Sequence, residues 1–308
     1  MAMTLHEDQR ELATAEQRLF ARLGVAYGSQ RVALPGAPVG YARVIETGTG
    51  PPVVFVHGTG MSAALWAPLL VHLSHHRCLA VDLPGCGLTE PFDHRGVDLR
   101  GHARSFLQAV LDALGLDGVT IVANSLGATY ALYLATAEPA RISGLVLMGA
   151  PGVALSGSRG SLAMSLYSRP RLGRTLSAMS PPLTPSVARR LLAGICGRPA
   201  VEGLPDEMFE VAAATLRISE PTTRTLMPEL MAGRTPFRHH ALSDDELAAV
   251  VARTRFVWGS QDRFQSPEDG RRAAAVLPDA DLVEVPGGHH PWWDDPDRCA
   301  AIIEETIS

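Results

Sequence analysis

Lysine is missing altogether: all 27 basic residues of the 308-residue chain are arginine. That absence removes a pyridoxal Schiff base, the lysine of a phosphate-binding P-loop and any Ser–Lys dyad from the available chemistry. Cysteine is scarce as well. Cys78, Cys86, Cys196 and Cys299 are scattered with no CxxC pair, so neither a disulfide framework nor a thiolate zinc site is expected. No apolar run approaches the ~18–20 residues of a membrane span. The start MAMTLHEDQRELATAEQRLF is charged and acidic where a signal peptide is basic and then apolar. The expectation is a cytoplasmic protein with no membrane span. The net charge of -5 comes without a basic stripe, which argues against nucleic acid as a partner. No glycine pattern makes a dinucleotide phosphate loop, so no nucleotide cofactor is implied.

What is present points to a folded globular chain. Apolar residues make up 46% and charged residues 19%, well away from disordered composition. The length suits one large domain with an insertion. Leucine and alanine at helical spacing predict an outer amphipathic helix over Glu7 to Leu23. Arg31 to Pro35 and Val39 to Thr47 alternate around Pro–Gly–Ala–Pro, the pattern of an antiparallel pair. Val53 to Val56, Cys78 to Leu83, Val119 to Ala123, Leu145 to Met148, Arg255 to Trp258 and Leu282 to Val285 are apolar runs expected to be strands. Helical stretches such as Leu99 to Leu114 and Gly127 to Ala137 lie between them. This alternation predicts an α/β fold with a doubly wound, mostly parallel sheet. From about Pro151 to Arg253 no strand is expected, only helical segments such as Ser186 to Ile195 and Pro205 to Ile218. The expected organisation is a first core part over 1–150, a helical cap over 151–250 and a second core part over 251–308. Ser243 and Glu246 form a capping box before Leu247, where the core resumes.

Four local patterns carry chemistry. Ala123–Asn124–Ser125–Leu126–Gly127 sits between an apolar strand and an alanine-rich helix. His57–Gly58–Thr59–Gly60 follows the first buried strand. Trp258–Gly259–Ser260–Gln261–Asp262 closes a later strand, and Gly287–Gly288–His289–His290–Pro291–Trp292–Trp293–Asp294–Asp295–Pro296 follows the last one. Together they resemble the α/β-hydrolase family, in which a serine on a sharp strand-to-helix turn is followed in the chain by an acid and then a histidine. The turn Asp82–Leu83–Pro84–Gly85–Cys86–Gly87 is similar to a further landmark of that family. The match departs from G-x-S-x-G at Ala123.

The resemblance implies Ser125 as nucleophile, His289 as general base and Asp262 as the acid that orients it. His289 is preferred to His290 because Pro291, Asp294 and Pro296 then fall in the family's pattern. The backbone N–H groups of Thr59 and Leu126 are implied as the oxyanion hole, with His57 orienting its loop. Asn124, Leu147–Met148–Gly149 and Trp293 are also similar to the carbon–carbon bond hydrolases that cleave meta-ring-fission products, although Met61 and Ser62 follow Gly60 where those enzymes carry proline and glycine. Asn124, Trp66 and Trp293 are the candidate substrate-binding residues.

His72, His75 and His76 share one helical face, but no acidic residue in the sequence completes a metal pattern, and His239 and His240 read likewise as solvated histidines. No cofactor and no metal is implied. The expected activity is a serine hydrolase acting on a carboxylic ester of a small to medium hydrophobic molecule. Carbon–carbon hydrolysis, lactone opening and acyl transfer remain alternatives on the same triad, and a receptor-like binding protein of the same fold is a further one.

Overall fold

The computed structural model describes residues 2–179 and 182–307. Its strands are β1 (Tyr27–Ala33), β2 (Tyr41–Thr47), β3 (Pro52–Val56), β4 (Arg77–Val81), β5 (Val119–Asn124), β6 (Ile142–Met148), β7 (Met231–Ala232), β8 (Thr235–Pro236), β9 (Arg253–Gly259) and β10 (Ala280–Val285). Eight of them form one sheet in the order β1-β2-β4-β3-β5-β6-β9-β10, and β7 and β8 make a separate hairpin. The pairings of β2 with β1 and with β4 are antiparallel, and every other pairing in the sheet is parallel. The fold is the α/β arrangement expected.

The apolar runs of β3, β4, β5, β6 and β9 become interior strands because both faces are covered, while Leu282 to Val285 falls on the edge strand β10. Side chains on β3 and β5 alternate between two cores. Val54, Val56, Ile121 and Ala123 enter one, with Phe106, Leu132 and Trp258. Val53, Phe55 and Val122 enter the other, with Leu12, Phe20, Trp66 and Ile303. The chain passes from β3 to β4 on one side and returns to β5 on the other. The carboxyl ends of β3 and β5 therefore flank the switch point, where a crevice opens in sheets of this kind.

The differences from the sequence expectations have physical causes. β1 begins at Tyr27 rather than Arg31, because Gly28 to Arg31 are exposed along the sheet edge and show no apolar alternation. The N-terminal helix starts at Ala2. The segment expected to hold no strand contains the β7–β8 hairpin, which is only two residues long on each side. The helix expected over Pro205 to Ile218 is Asp206–Leu230 and continues through Pro221 and Pro228. Burial of Thr222, Leu226, Met227 and Leu230 holds it together beyond the point where the prolines signal an end.

The candidate active site

Five loops meet at the carboxyl edge of the parallel strands. Register brings their origins level, pairing Val56 with Ala123, Asn124 with Met148, Met148 with Val257, and Gly259 with Val285. The loops after β3, β5, β6, β9 and β10 therefore start from one rim.

Ser125 stands on the turn from β5 into the helix Leu126–Ala137 with φ 53° and ψ -118°, and is the only non-glycine residue with positive φ among those described. Such backbone is strained for a residue with a Cβ and survives only where the surroundings enforce it. The enforcement is visible. A Cβ on Gly127 would lie 2.3 Å from the Val56 carbonyl oxygen, and one on Gly58 would lie 2.9 Å from Ser125 Cβ. The helix thus presses against the end of β3, and the β3 loop presses against the serine. Ala123 is fully buried, so a methyl group is accommodated where the family pattern has glycine.

His289 and Asp262 are brought together. His289 Nδ1 lies 2.8 Å from Asp262 Oδ2. The Ala150 N–H donates to the same carboxylate oxygen at 2.9 Å, and the Phe264 N–H donates to Oδ1 at 2.9 Å. Burial pushes the Asp262 carboxyl up, but the His289 imidazole and these hydrogen bonds outweigh it, so it titrates below its ordinary range. An ionised Asp262 accepting from Nδ1–H leaves Nε2 of His289 as the basic nitrogen. Asn124 connects this pair to the serine turn: its Nδ2 donates to the Met148 carbonyl at 2.6 Å and to the His289 carbonyl at 3.1 Å.

The β3 loop is braced from below. His57 Nε2 accepts from the Leu83 N–H at 3.0 Å and its Nδ1 lies 2.7 Å from the Gly58 carbonyl. Burial lowers the His57 pKa, which keeps it neutral as those contacts require. Asp82 accepts from the N–H groups of Ala63 at 2.7 Å and Leu88 at 2.9 Å, joining the loops after β3 and β4. Glycine is required at position 87, where a Cβ would stand 2.2 Å from Asp82 Oδ2. The helix Asp206–Leu230 covers these loops. Thr215 Oγ1 donates to Ser62 Oγ at 3.1 Å, Leu216 reaches Gly60, and Thr222 fills the space over Gly85.

The three expected substrate contacts are committed elsewhere. Both donors of Asn124 are spent on backbone carbonyls, which makes it a strut. Trp66 is 1% exposed and stacks on Trp292 at 4.1 Å, while Trp293 donates its indole N–H to the Leu65 carbonyl at 3.3 Å. These indoles are core, because the helices Pro291–Asp294 and Pro296–Ile307 close over them.

A contact of the residue beside the candidate base carries no signal in the sequence. His290 is buried, and its Nδ1 lies 3.1 Å from the thiol of Cys196, the last residue of the helix Pro185–Cys196. Burial lowers the His290 pKa and raises that of Cys196, so both partners of the contact are neutral. Arg263, beside Asp262, donates to the Gly194 carbonyl of the same helix at 3.2 Å. One helix end between β6 and β9 therefore touches the residue beside the acid and the residue beside the base. No local spacing signals this, since the partners are 94 and 69 residues apart.

Fold and site together define the class. The sequence model of the alpha/beta hydrolase family matches residues 53–302, and the chain belongs to that family of hydrolases. It is 28% identical over 271 residues to a 2-hydroxy-6-oxononadienedioate/2-hydroxy-6-oxononatrienedioate hydrolase of Cupriavidus pinatubonensis, covering 81% of this chain and 84% of the relative. It is 29% identical over 280 residues to haloalkane dehalogenase 2 of Mycobacterium bovis, covering 87% and 92%. Among solved structures it is similar to the carboxylesterase CesB of Bacillus subtilis, with a TM-score of 0.71, 17% identity and 98% of each chain covered. Among the described residues no helix is long and apolar enough to cross a membrane.

Proposed function

We propose that the protein is a serine hydrolase attacking acyl carbon, with Ser125 as nucleophile, His289 as general base and then acid, and Asp262 as the group that orients and stabilises the imidazole. The observation that carries this is the strained backbone of Ser125, the one non-glycine residue at positive φ among the described residues, at the rim that also carries the Asp262–His289 couple. Ser125 Oγ attacks the carbonyl carbon as His289 Nε2 takes its proton, and that proton passes to the leaving group as the acyl-enzyme forms. Water, activated by the same nitrogen, then releases the acid. The N–H groups of Thr59 and Leu126 donate to the oxyanion, each worth about 3–4 kcal/mol of barrier. The helices between β6 and β9 serve as a cap over the site, its boundaries near residues 151 and 250.

The substrate we assign is a carboxylic ester of a small to medium hydrophobic molecule. A second reading has a specific support: the similarity to a 2-hydroxy-6-oxononadienedioate/2-hydroxy-6-oxononatrienedioate hydrolase extends over 81% of this chain. There the leaving group would be a carbon stabilised as a dienolate, protonated in place of an alcohol. Dehalogenation fits a serine poorly, since displacement of halide by Ser125 Oγ would leave an ether that a histidine-activated water does not cleave. The test is fluorophosphonate labelling located by mass spectrometry, with turnover of chromogenic esters of increasing acyl length and of a 2-hydroxy-6-oxo-dienoate. Label on Ser125 and ester turnover lost in Ser125→Ala are expected. Turnover of the dienoate far above any ester would replace the ester reading with the second one, and an unlabelled Ser125 with no turnover would overturn both.

A further inference from the structure

We propose that His75, His76 and Glu304 form a binding site for a zinc-like divalent cation. The site is independent of the hydrolase reading and lies at the other end of the sheet, since the two histidines immediately precede β4 while the candidate triad stands at the carboxyl edge. The carboxylate that the sequence did not supply arrives from the C-terminal helix Pro296–Ile307, 228 residues from His76. His75 Nε2 lies 2.7 Å from Glu304 Oε1 and His76 Nε2 lies 2.8 Å from Glu304 Oε2. All three donor atoms fall within 4.8 Å of one another.

The donor set is the one zinc takes, imidazole nitrogen and carboxylate oxygen. With metal–ligand bonds of about 2.0–2.2 Å, two donors on a tetrahedral ion stand roughly 3.3 Å apart. Opening the two present contacts by about half an ångström would admit the ion as each histidine moves its proton from Nε2 to Nδ1. Both sides of the site are held in advance. The turn carrying the histidines is fixed by His76 N–H to the Leu73 carbonyl at 3.0 Å and Arg77 N–H to the Pro51 carbonyl at 3.0 Å. Glycine is needed at positions 48 and 50, where a Cβ would stand 2.2 Å from the carbonyl oxygens of His76 and His75. The helix bearing Glu304 buries Cys299, Ile302 and Ile303, and a second contact, His72 Nδ1 to Asp297 Oδ1 at 2.8 Å, fixes its register. The four thiols are all buried and do not compete. His239 and His240 are an internal control: their rings are 4.1 Å apart, but His240 Nε2 faces the Glu229 carbonyl rather than a carboxylate.

The two histidines should not contribute equally. With Nε2 on the ion, His75 can give its Nδ1–H to water, its side chain being 63% exposed, whereas His76 Nδ1 is buried without a partner. The experiment is calorimetric titration of the untagged protein with zinc chloride, together with thermal melting. One equivalent should bind with a raised melting temperature. His75→Gln and Glu304→Gln should each weaken binding at least about tenfold, His76→Gln should cost less than His75→Gln, and His239→Gln should change nothing. His75→Gln removes an exposed side chain and keeps the result readable should Glu304→Gln loosen the helix. Equal affinity in wild type and His75→Gln, loss confined to His239→Gln, or no heat and no melting shift at millimolar zinc would overturn the site.

Discussion

Ser125 occupies backbone that only glycine adopts freely, and strain of this kind costs of order 1–3 kcal/mol. Ser125→Gly should therefore abolish turnover and yet raise the denaturation midpoint, because the relief exceeds the roughly 0.5–1 kcal/mol that added chain entropy takes back. A lowered midpoint would show the turn to be relaxed. Asp262→Asn should reduce kcat about 10⁴-fold with a well-folded protein, since an amide cannot fix the Nδ1–H tautomer or offset the imidazolium; steady-state kinetics beside circular dichroism would check it. Ser125, Asp262 and His289 stand on the loops where the sequence put them, because glycine, proline and tryptophan at fixed local offsets mark those loops. Cys196 beside His290 and the double commitment of the Asn124 amide were not legible, because each is a contact between distant segments. Trp66 and Trp293 show the converse: closeness in sequence to the candidate catalytic loops suggested pocket walls, and packing buries both.

Between elements, the least expected feature is a buried charge cluster that ties the N-terminal helix to the sheet. Arg43 on β2 lies 2.5 Å from Glu16 of that helix and 3.5 Å from Asp82, all three almost fully buried. Arg43→Met leaves two buried carboxyl groups without their counter-charge and should cost about 3–5 kcal/mol in chemical denaturation. Burial, only partly offset by Arg43, pushes the Glu16 carboxyl from 4.5 up to about 7. Between those values the unfolded chain gives up a proton that the folded chain keeps, so this group withdraws stability as pH rises through the window. Glu16→Gln should flatten the slope of melting temperature against pH there, and an unchanged slope would show Glu16 ionised throughout. The sequence showed the helix from its leucines, but a glutamate on an outer helix reads as solvated until the fold buries it. The same limit hid the start of β1, whose exposed residues carry no pattern, and the run of the helix Asp206–Leu230 past its prolines, which depends on neighbours.

At the scale of the whole molecule, the four cysteines are free and buried, and burial raises their pKa values, to about 12 for Cys78 and Cys86. Ellman's reagent should find no reactive thiol in the native protein and four after denaturation, at a rate set by unfolding. A fast thiol in the native state would mean that part of the core opens by itself. The sheet was legible because its central strands β3, β5 and β6 are runs without a charged residue, whereas the order in which the strands pair follows only from the crossovers. That order has a consequence in time. Ser125 and the Asp262–His289 pair belong to parts of the chain separated by the whole helical segment, and they share a rim only once β9 has docked on β6. A ribosome that has released the first half of this protein has made the strained turn but not the candidate base. Enzyme activity regained during refolding should lag behind helical signal, as long-range pairing does, and a chain broken off before β9 should show no turnover wherever it ends.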